Sequence, residues 1–323
     1  MLVELAYPLL WLWACGHQRY NRVMARLGRK PAAVTRVQIL PETHYRKLCD
    51  RLRRLDIALW WRISPARLAR LVIDLFETPL RTQGKLSERI FLDGLQCKWL
   101  PFAGGRVPVY LGGPIHAPAI LLVHGWEGRA GMLQPLCQPL LDTGYRVIIP
   151  DLYAHGRAHG RRVSFFALAH QLRLVAGRFG PVRCLIGHSS GGLVAALALQ
   201  QGLVTGGLVT IGTPFSLRRL LERHFALCRL SPEQQAWCSR HYLGRHRLNP
   251  AALEASAFAG LSQPWLLCHD RYDQMIPLGE AEDMLAQAPR ARLCLTHGGG
   301  HLGVLRNPHL LRQIMAFADG GGA

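Results

Sequence analysis

Pro181-Val182-Arg183-Cys184-Leu185-Ile186-Gly187-His188-Ser189-Ser190-Gly191-Gly192 is the stretch whose reading decides the fold. Residues 182–186 form a short apolar run that reads as a buried strand, and small and apolar residues over 193–199 read as a packed helix. Between them sits Gly187-x-Ser189-x-Gly191. A strand that turns at once into a helix forces the residue at the turn into strained geometry. Glycines two places before and after it let strand and helix approach closely and leave the serine side chain exposed at the apex. The following helix aims its N-terminal amides at that apex, where negative charge is stabilised. A lone GxSxG is common by chance. This one has a strand before it and a helix after it, a context that a Gly/Ser-rich turn capping an ordinary helix does not require.

Outward from this stretch the chain alternates strand and helix. Residues 120–123 are a continuous apolar strand followed by His124-Gly125-Trp126-Glu127-Gly128. A helix over 132–142 leads to the strand 147–149, which ends at Pro150-Asp151. A loop rich in Gly, His and Arg (154–162) precedes a helix capped by Ser164. Beyond the serine come strands at 208–211, 265–268 and 293–295, and helices at 280–287 and 308–318. Residues 214–262 are helical and polar with no strand of their own. Upstream, 42–61 and 66–76 read as helices, 79–84 as a linker, and 91–110 as strands with turns at Gly104-Gly105 and Gly112-Gly113. Buried strands alternating with helices imply an α/β fold with a mostly parallel central sheet covered on both faces. The expected division is a helical extension over 1–90, a core over 91–213 and 263–319, and a helical cap inserted at 214–262.

The bulk properties bound the rest. The 323 residues are 49% hydrophobic and 18% charged, which describes a globular chain with a sizeable core. Formal net charge is +19. Residues 1–100 hold 18 Lys+Arg against 8 Asp+Glu, a net of +10, so the basic excess is densest there. Such charge is either an arginine-rich composition or an attraction to anionic surfaces. The arginines are scattered and no nucleic-acid-binding signature accompanies them, so no nucleic-acid partner is expected. Nine cysteines without a C-x-x-C pair, several inside apolar runs, read as buried thiols of a reducing, cytoplasmic compartment, with no metal site and no cofactor. Residues 1–30 open with an apolar run about half the length needed to span a bilayer. Its two tryptophans beside arginines suit a helix in a membrane interface, peripheral on the inner face, and equally a helix docked on the domain's own surface.

A serine hydroxyl is a weak nucleophile that needs a base and a group to orient it. Side chains that do chemistry in parallel sheets sit at the C-terminal ends of strands. After Ser189 the acids that fit are Asp270 and Asp273, both just past 265–268, and the histidines that fit are His297 and His301, both after 293–295. The order Ser, Asp, His suits this fold.

Five motifs together resemble the α/β-hydrolase superfamily: His124-Gly125-Trp126, Asp151-Leu152-x-x-His155-Gly156, Gly187-His188-Ser189-Ser190-Gly191-Gly192, His269-Asp270-x-x-Asp273-x-x-Ile276-Pro277 and Gly298-Gly299-Gly300-His301. The resemblance covers residues 91–318. It implies that Ser189 is the nucleophile, that Asp273, three residues before the Ile-Pro step, is the acid, and that His301, closing the Gly-rich turn, is the base. It implies oxyanion amides at Trp126 and Ser190. His124, Gly125, His188 and Phe215 are expected around the substrate, with Histidines 124, 155 and 188 holding loops rather than acting as bases. The activity implied is a serine carboxylesterase or lipase-like hydrolase acting on a small-molecule or lipid ester. An acyltransferase or thioesterase with the same triad, or a hydrolase-fold binding protein without turnover, stand as alternatives. Arginines of 214–262 (Arg218, Arg219, Arg223, Arg229, Arg240, Arg245, Arg247) either greet an acidic acyl or lipid head group or form a solvated face.

Overall fold

The structure, a computed structural model, describes residues 57–81, 83–249, 253, 256–288 and 291–320. The apolar opening segment, 1–30, lies outside the described residues, as do Cys15 and Cys49. No helix among the described residues is long and apolar enough to cross a membrane.

Chain contacts divide the described residues into two compact units. The first consists of 57–73 and 224–245. It contains most of helix α1 (Pro65–Phe76), in which Leu68, Ala69, Val72 and Ile73 are buried. These fall at the i, i+1, i+4, i+5 spacing of one helical face. The His224 ring bonds the Val72 carbonyl at 2.9 Å, and Trp61 meets Trp237 edge-on at 6.2 Å.

The second unit, 74–223 with 246–320, holds the sheet. Its first helix, α2 (Leu86–Asp93), lies where the sequence reads as the start of a strand. A local device wins here. The Glu88 carboxylate accepts from the Lys85 amide at 3.3 Å, closing a capping box, and Arg129 clamps the same carboxylate at 2.5 and 3.0 Å. Pairing starts only at β1 (Gln96–Phe102), which runs antiparallel to β2 (Gly105–Gly112).

Strands β3 (Ala119–Val123), β4 (Arg146–Pro150), β5 (Val182–His188), β6 (Leu208–Ile211), β7 (Trp265–Asp270) and β8 (Arg292–Thr296) complete an eight-stranded sheet of order β1-β2-β4-β3-β5-β6-β7-β8. All pairs from β4 to β8 are parallel. Each crossover carries a helix: α3 (Gln134–Asp142), α4 (Phe165–Phe179), α5 (Ser190–Gln200), and α8 (Leu278–Gln287), with α6 (Leu217–Leu227) and α7 (Pro232–His246) preceding β7. A one-turn helix α9 (Gly300–Gly303) and α10 (Pro308–Ala318) end the chain.

The central strands are apolar on both sides because both faces are covered. On one face Ile120, Leu122, Ile149, Ile186, Val209 and Cys268 pack with Leu136 and Leu140 of α3 and Leu310 and Ile314 of α10. Helix α5 is buried along its whole length from Ser190 to Leu199, which explains why its sequence has no polar face. The order places β3 between β4 and β5, so the chain leaves β3 first to one side and later to the other. The crevice at the C-terminal ends of such strands is where α/β sheets present their chemistry.

Candidate active site

Ser189 stands between β5 and α5 with φ 54° and ψ −134°, a strained conformation for a residue with a side chain. Two glycines make the turn feasible. A Cβ on Gly187 would lie 2.4 Å from the Gly192 Cα, so no side chain fits between strand and helix. A Cβ on Gly125 would lie 2.8 Å from the Ser189 Cβ and 3.3 Å from its Oγ, so the β3 loop can pass the serine only as bare backbone. The Ser189 amide donates to the Ile211 carbonyl at 2.8 Å, tying the turn to the end of β6.

The two aspartates after β7 divide. Asp273 Oδ2 accepts from His301 Nδ1 at 2.6 Å, and its Oδ1 accepts from the Met275 and Ile276 amides, both at 2.9 Å. Burial would raise this carboxyl, but the His301 bond, the amides and the imidazole charge outweigh it and hold it below the usual carboxylate range. Asp270 does not reach His301. It accepts from Thr296 Oγ1 at 2.8 Å and from the Gly299, Gly300 and Tyr272 amides, each at 3.0 Å. It is the clasp of the loop that carries His301. His297 is exposed and is not drawn into this cluster.

His301 is also tied to the residue before the serine. His188, the residue before the serine, bonds the His301 carbonyl oxygen through Nε2 at 2.8 Å, with ring centroids 4.9 Å apart. A carbonyl only accepts, so Nε2 of His188 carries the hydrogen. Gly212, next to the Ile211 carbonyl that holds Ser189, faces Asp273 and His301; a Cβ there would stand 2.9 Å from Asp273 Oδ2 and 3.4 Å from His301 Nδ1.

His124 and His155 serve backbone. His124 Nε2 accepts from the Leu152 amide at 3.0 Å, so Nδ1 is the protonated nitrogen and donates to the Gly125 carbonyl at 2.8 Å. Both nitrogens are used, leaving the ring none to offer a ligand. His155 Nδ1 bonds the Tyr153 carbonyl at 2.9 Å. Asp151 holds two loops at once, accepting from Ala130 at 2.7 Å and Arg157 at 2.8 Å. The Trp126 ring is stacked on Phe165 at 5.3 Å and Phe76 at 6.3 Å, with His155 edge-on at 4.9 Å. Phe215 is buried under the Arg219 guanidinium, 4.5 Å from its ring. Arg219 is itself paired with Asp283 at 2.5 Å and Glu280 at 3.3 Å, and Arg223 pairs with the other oxygen of Glu280. These two arginines of α6 are thus committed to carboxylates of α8.

Sequence reasoning missed one bond: the Trp126 amide donates to Ser190 Oγ at 2.6 Å. Only the doubled serine hinted at it. It also missed the Glu88–Arg129 clamp behind the Trp126 loop, 41 residues apart, for which the sequence holds no signal.

Burial lowers His124 and His188 from an ordinary 6.5 to about 4, and His155 to about 3. All three are neutral when folded but take up protons when unfolded. Their contribution to stability is therefore complete above pH 6.5 and is lost as pH falls towards 4. Thermal melts are expected to show a Tm about 5 °C or more lower at pH 5 than at pH 7.5. A flat Tm over that window would mean the rings are not buried neutral.

A sequence model of the alpha/beta hydrolase family matches residues 120–314, well over half of the chain. The chain belongs to this family. Among curated relatives, this alpha/beta hydrolase is 28% identical over 235 residues to pimeloyl-acyl-carrier protein methyl ester esterase of Nitrosomonas europaea, covering 60% of this chain and 92% of the esterase. It is 27% identical over 228 residues to the enzyme of the same name from Xanthomonas campestris pv. campestris, covering 58% and 88%. Among solved structures, carboxylesterase CesB of Bacillus subtilis superposes with a TM-score of 0.54 at 17% identity, covering 73% of this chain and 97% of that one. At that identity the match speaks for the fold alone. The alpha/beta hydrolase thus has esterase relatives, and its fold is that of the family.

Proposed function

We propose that this alpha/beta hydrolase cleaves carboxylic esters by way of an acyl-enzyme on Ser189. The observation that carries this reading is the 2.6 Å bond from His301 Nδ1 to a buried Asp273 carboxylate, beside a serine held at positive φ. With Nδ1 engaged, His301 has Nε2 left for the serine proton. Ser189 Oγ attacks the ester carbonyl carbon while Nε2 takes its proton. Asp273 keeps the ring oriented and stabilises the imidazolium. His301 then returns the proton to the departing alkoxide. Water repeats the sequence on the acyl-enzyme and releases the acid. Negative charge on the carbonyl oxygen would meet the Ser190 amide at the N-terminus of α5 and the Trp126 loop beside it. Each such donor is worth roughly 3–4 kcal/mol of transition-state stabilisation.

The esterase relatives support a small or lipid-derived acyl ester as substrate. A panel of p-nitrophenyl esters against the matching anilides tests the reaction class. Release of p-nitrophenol with saturation kinetics is expected, with anilides untouched. No turnover of any ester from acetate to palmitate would contradict the proposal.

A further inference from the structure

We infer that the Ser190 hydroxyl, and not the Trp126 amide directly, is the second donor to the oxyanion. The inference rests on the esterase reading above and adds a residue to it. The Trp126 N–H points at Ser190 Oγ, 2.6 Å away, so in the resting protein that amide is already engaged. A hydroxyl that accepts a hydrogen bond still has one proton to give. The Ser190 hydroxyl donates it to nothing among the described residues, and the side chain is buried, with the residue 5% exposed. An undirected proton on a buried hydroxyl one residue from the nucleophile is placed for a ligand rather than for the fold.

The positions agree. Trp126 follows Gly125, where a Cβ would stand 2.8 Å from the Ser189 Cβ and 3.3 Å from its Oγ, so the amide–hydroxyl pair lies one residue along from each of the two backbones that meet at the nucleophile. The Arg129–Glu88 clamp and the Trp126–Phe165 stack hold the loop that supplies the amide. The chain of donors runs Trp126 N–H to Ser190 Oγ–H to the carbonyl oxygen. The first bond polarises the second, which strengthens it as negative charge develops on the substrate. No bond is made or broken in the relay itself, and both protons stay on their own atoms.

Ser190→Ala and Ser190→Cys test this with p-nitrophenyl butyrate and a trifluoromethyl ketone whose tetrahedral adduct carries the oxyanion. Cysteine fills the same space but donates weakly, so it reports even if the alanine variant folds poorly. Both variants are expected to lose about 10²-fold in kcat with KM within threefold, and to bind the ketone weaker by a similar factor, while fluorophosphonate still labels Ser189. A kcat within threefold of the parent, or a rise, would show that the hydroxyl only plugs the amide and would overturn the inference while leaving the esterase reading intact. Reduced kcat with unchanged ketone affinity would overturn it too, since the oxyanion would then be indifferent to residue 190. Absence of ester turnover and of labelling in the parent protein would overturn both.

Discussion

Asp273→Asn is expected to lower kcat about 10⁴-fold with little change in Tm, and Asp270→Asn to do the reverse. The asymmetry follows from what each carboxylate touches. Asparagine at 273 can still accept from the Met275 and Ile276 amides through its carbonyl oxygen, so the β7 loop survives. Its NH₂ would then face His301 Nδ1, where only an acceptor holds the hydrogen on that nitrogen. The ring must change tautomer, and Nε2 can no longer act as base. At 270 both oxygens accept, one from Gly300 and Tyr272, the other from Thr296 and Gly299. An amide leaves two of those donors without a partner, at about 1–3 kcal/mol each. The His301 loop loosens, Tm falls by roughly 5–10 °C, and kcat drops by an order of magnitude at most. Steady-state kinetics and calorimetry on the two variants separate the roles. Equal losses of rate at both positions would mean that the acid has been assigned to the wrong aspartate.

The second large effect is structural. Gly187→Ala is expected to lower stability by about 4 kcal/mol or more, with Tm at least 10 °C lower or the protein insoluble. The added methyl would meet the Gly192 Cα at 2.4 Å and its nitrogen at 2.5 Å. Both are backbone, so no rotamer change relieves the clash, and β5 and α5 would have to part. Both elements lie in the centre of the sheet and its cover, where displacement cannot be absorbed locally. A Tm within 3 °C of the parent would show that strand and helix are not so closely apposed at Ser189.

These expectations also mark what the sequence could tell. The β5–Ser189–α5 unit was legible because three independent signals coincide: an apolar run, glycines at the turn, and a helix apolar on every side. Strand–helix alternation from Ala119 onwards was legible because apolar residues dominate each parallel strand, even where Arg183 and Thr210 interrupt the run. Three places were not fully so. The run from Phe91 reads as strand by composition, yet Leu86–Asp93 is helical because Glu88 closes a capping box and is gripped by Arg129 from a distant loop. Long-range ion pairs leave no periodic trace. Position narrowed the acids and bases near the end of the chain to two aspartates and two histidines, and the resemblance singled out Asp273 and His301; what the sequence did not carry is the loop geometry that puts Asp270 on the Gly299 and Gly300 amides. The arginines of α6 were ambiguous in sequence between ligand and surface. Arg219 and Arg223 turn out to bind Glu280 of their own fold.

Ser189 reactivity is the most direct test of the account. Incubating the full chain with a fluorophosphonate probe, followed by proteolysis and mass spectrometry of the modified peptide, reads it in one step. The account predicts a single adduct on the peptide bearing Gly187-His188-Ser189, absent from Ser189→Ala and from heat-denatured protein. A parent protein that folds but takes no label, or one labelled equally at Ser189→Ala, would contradict it.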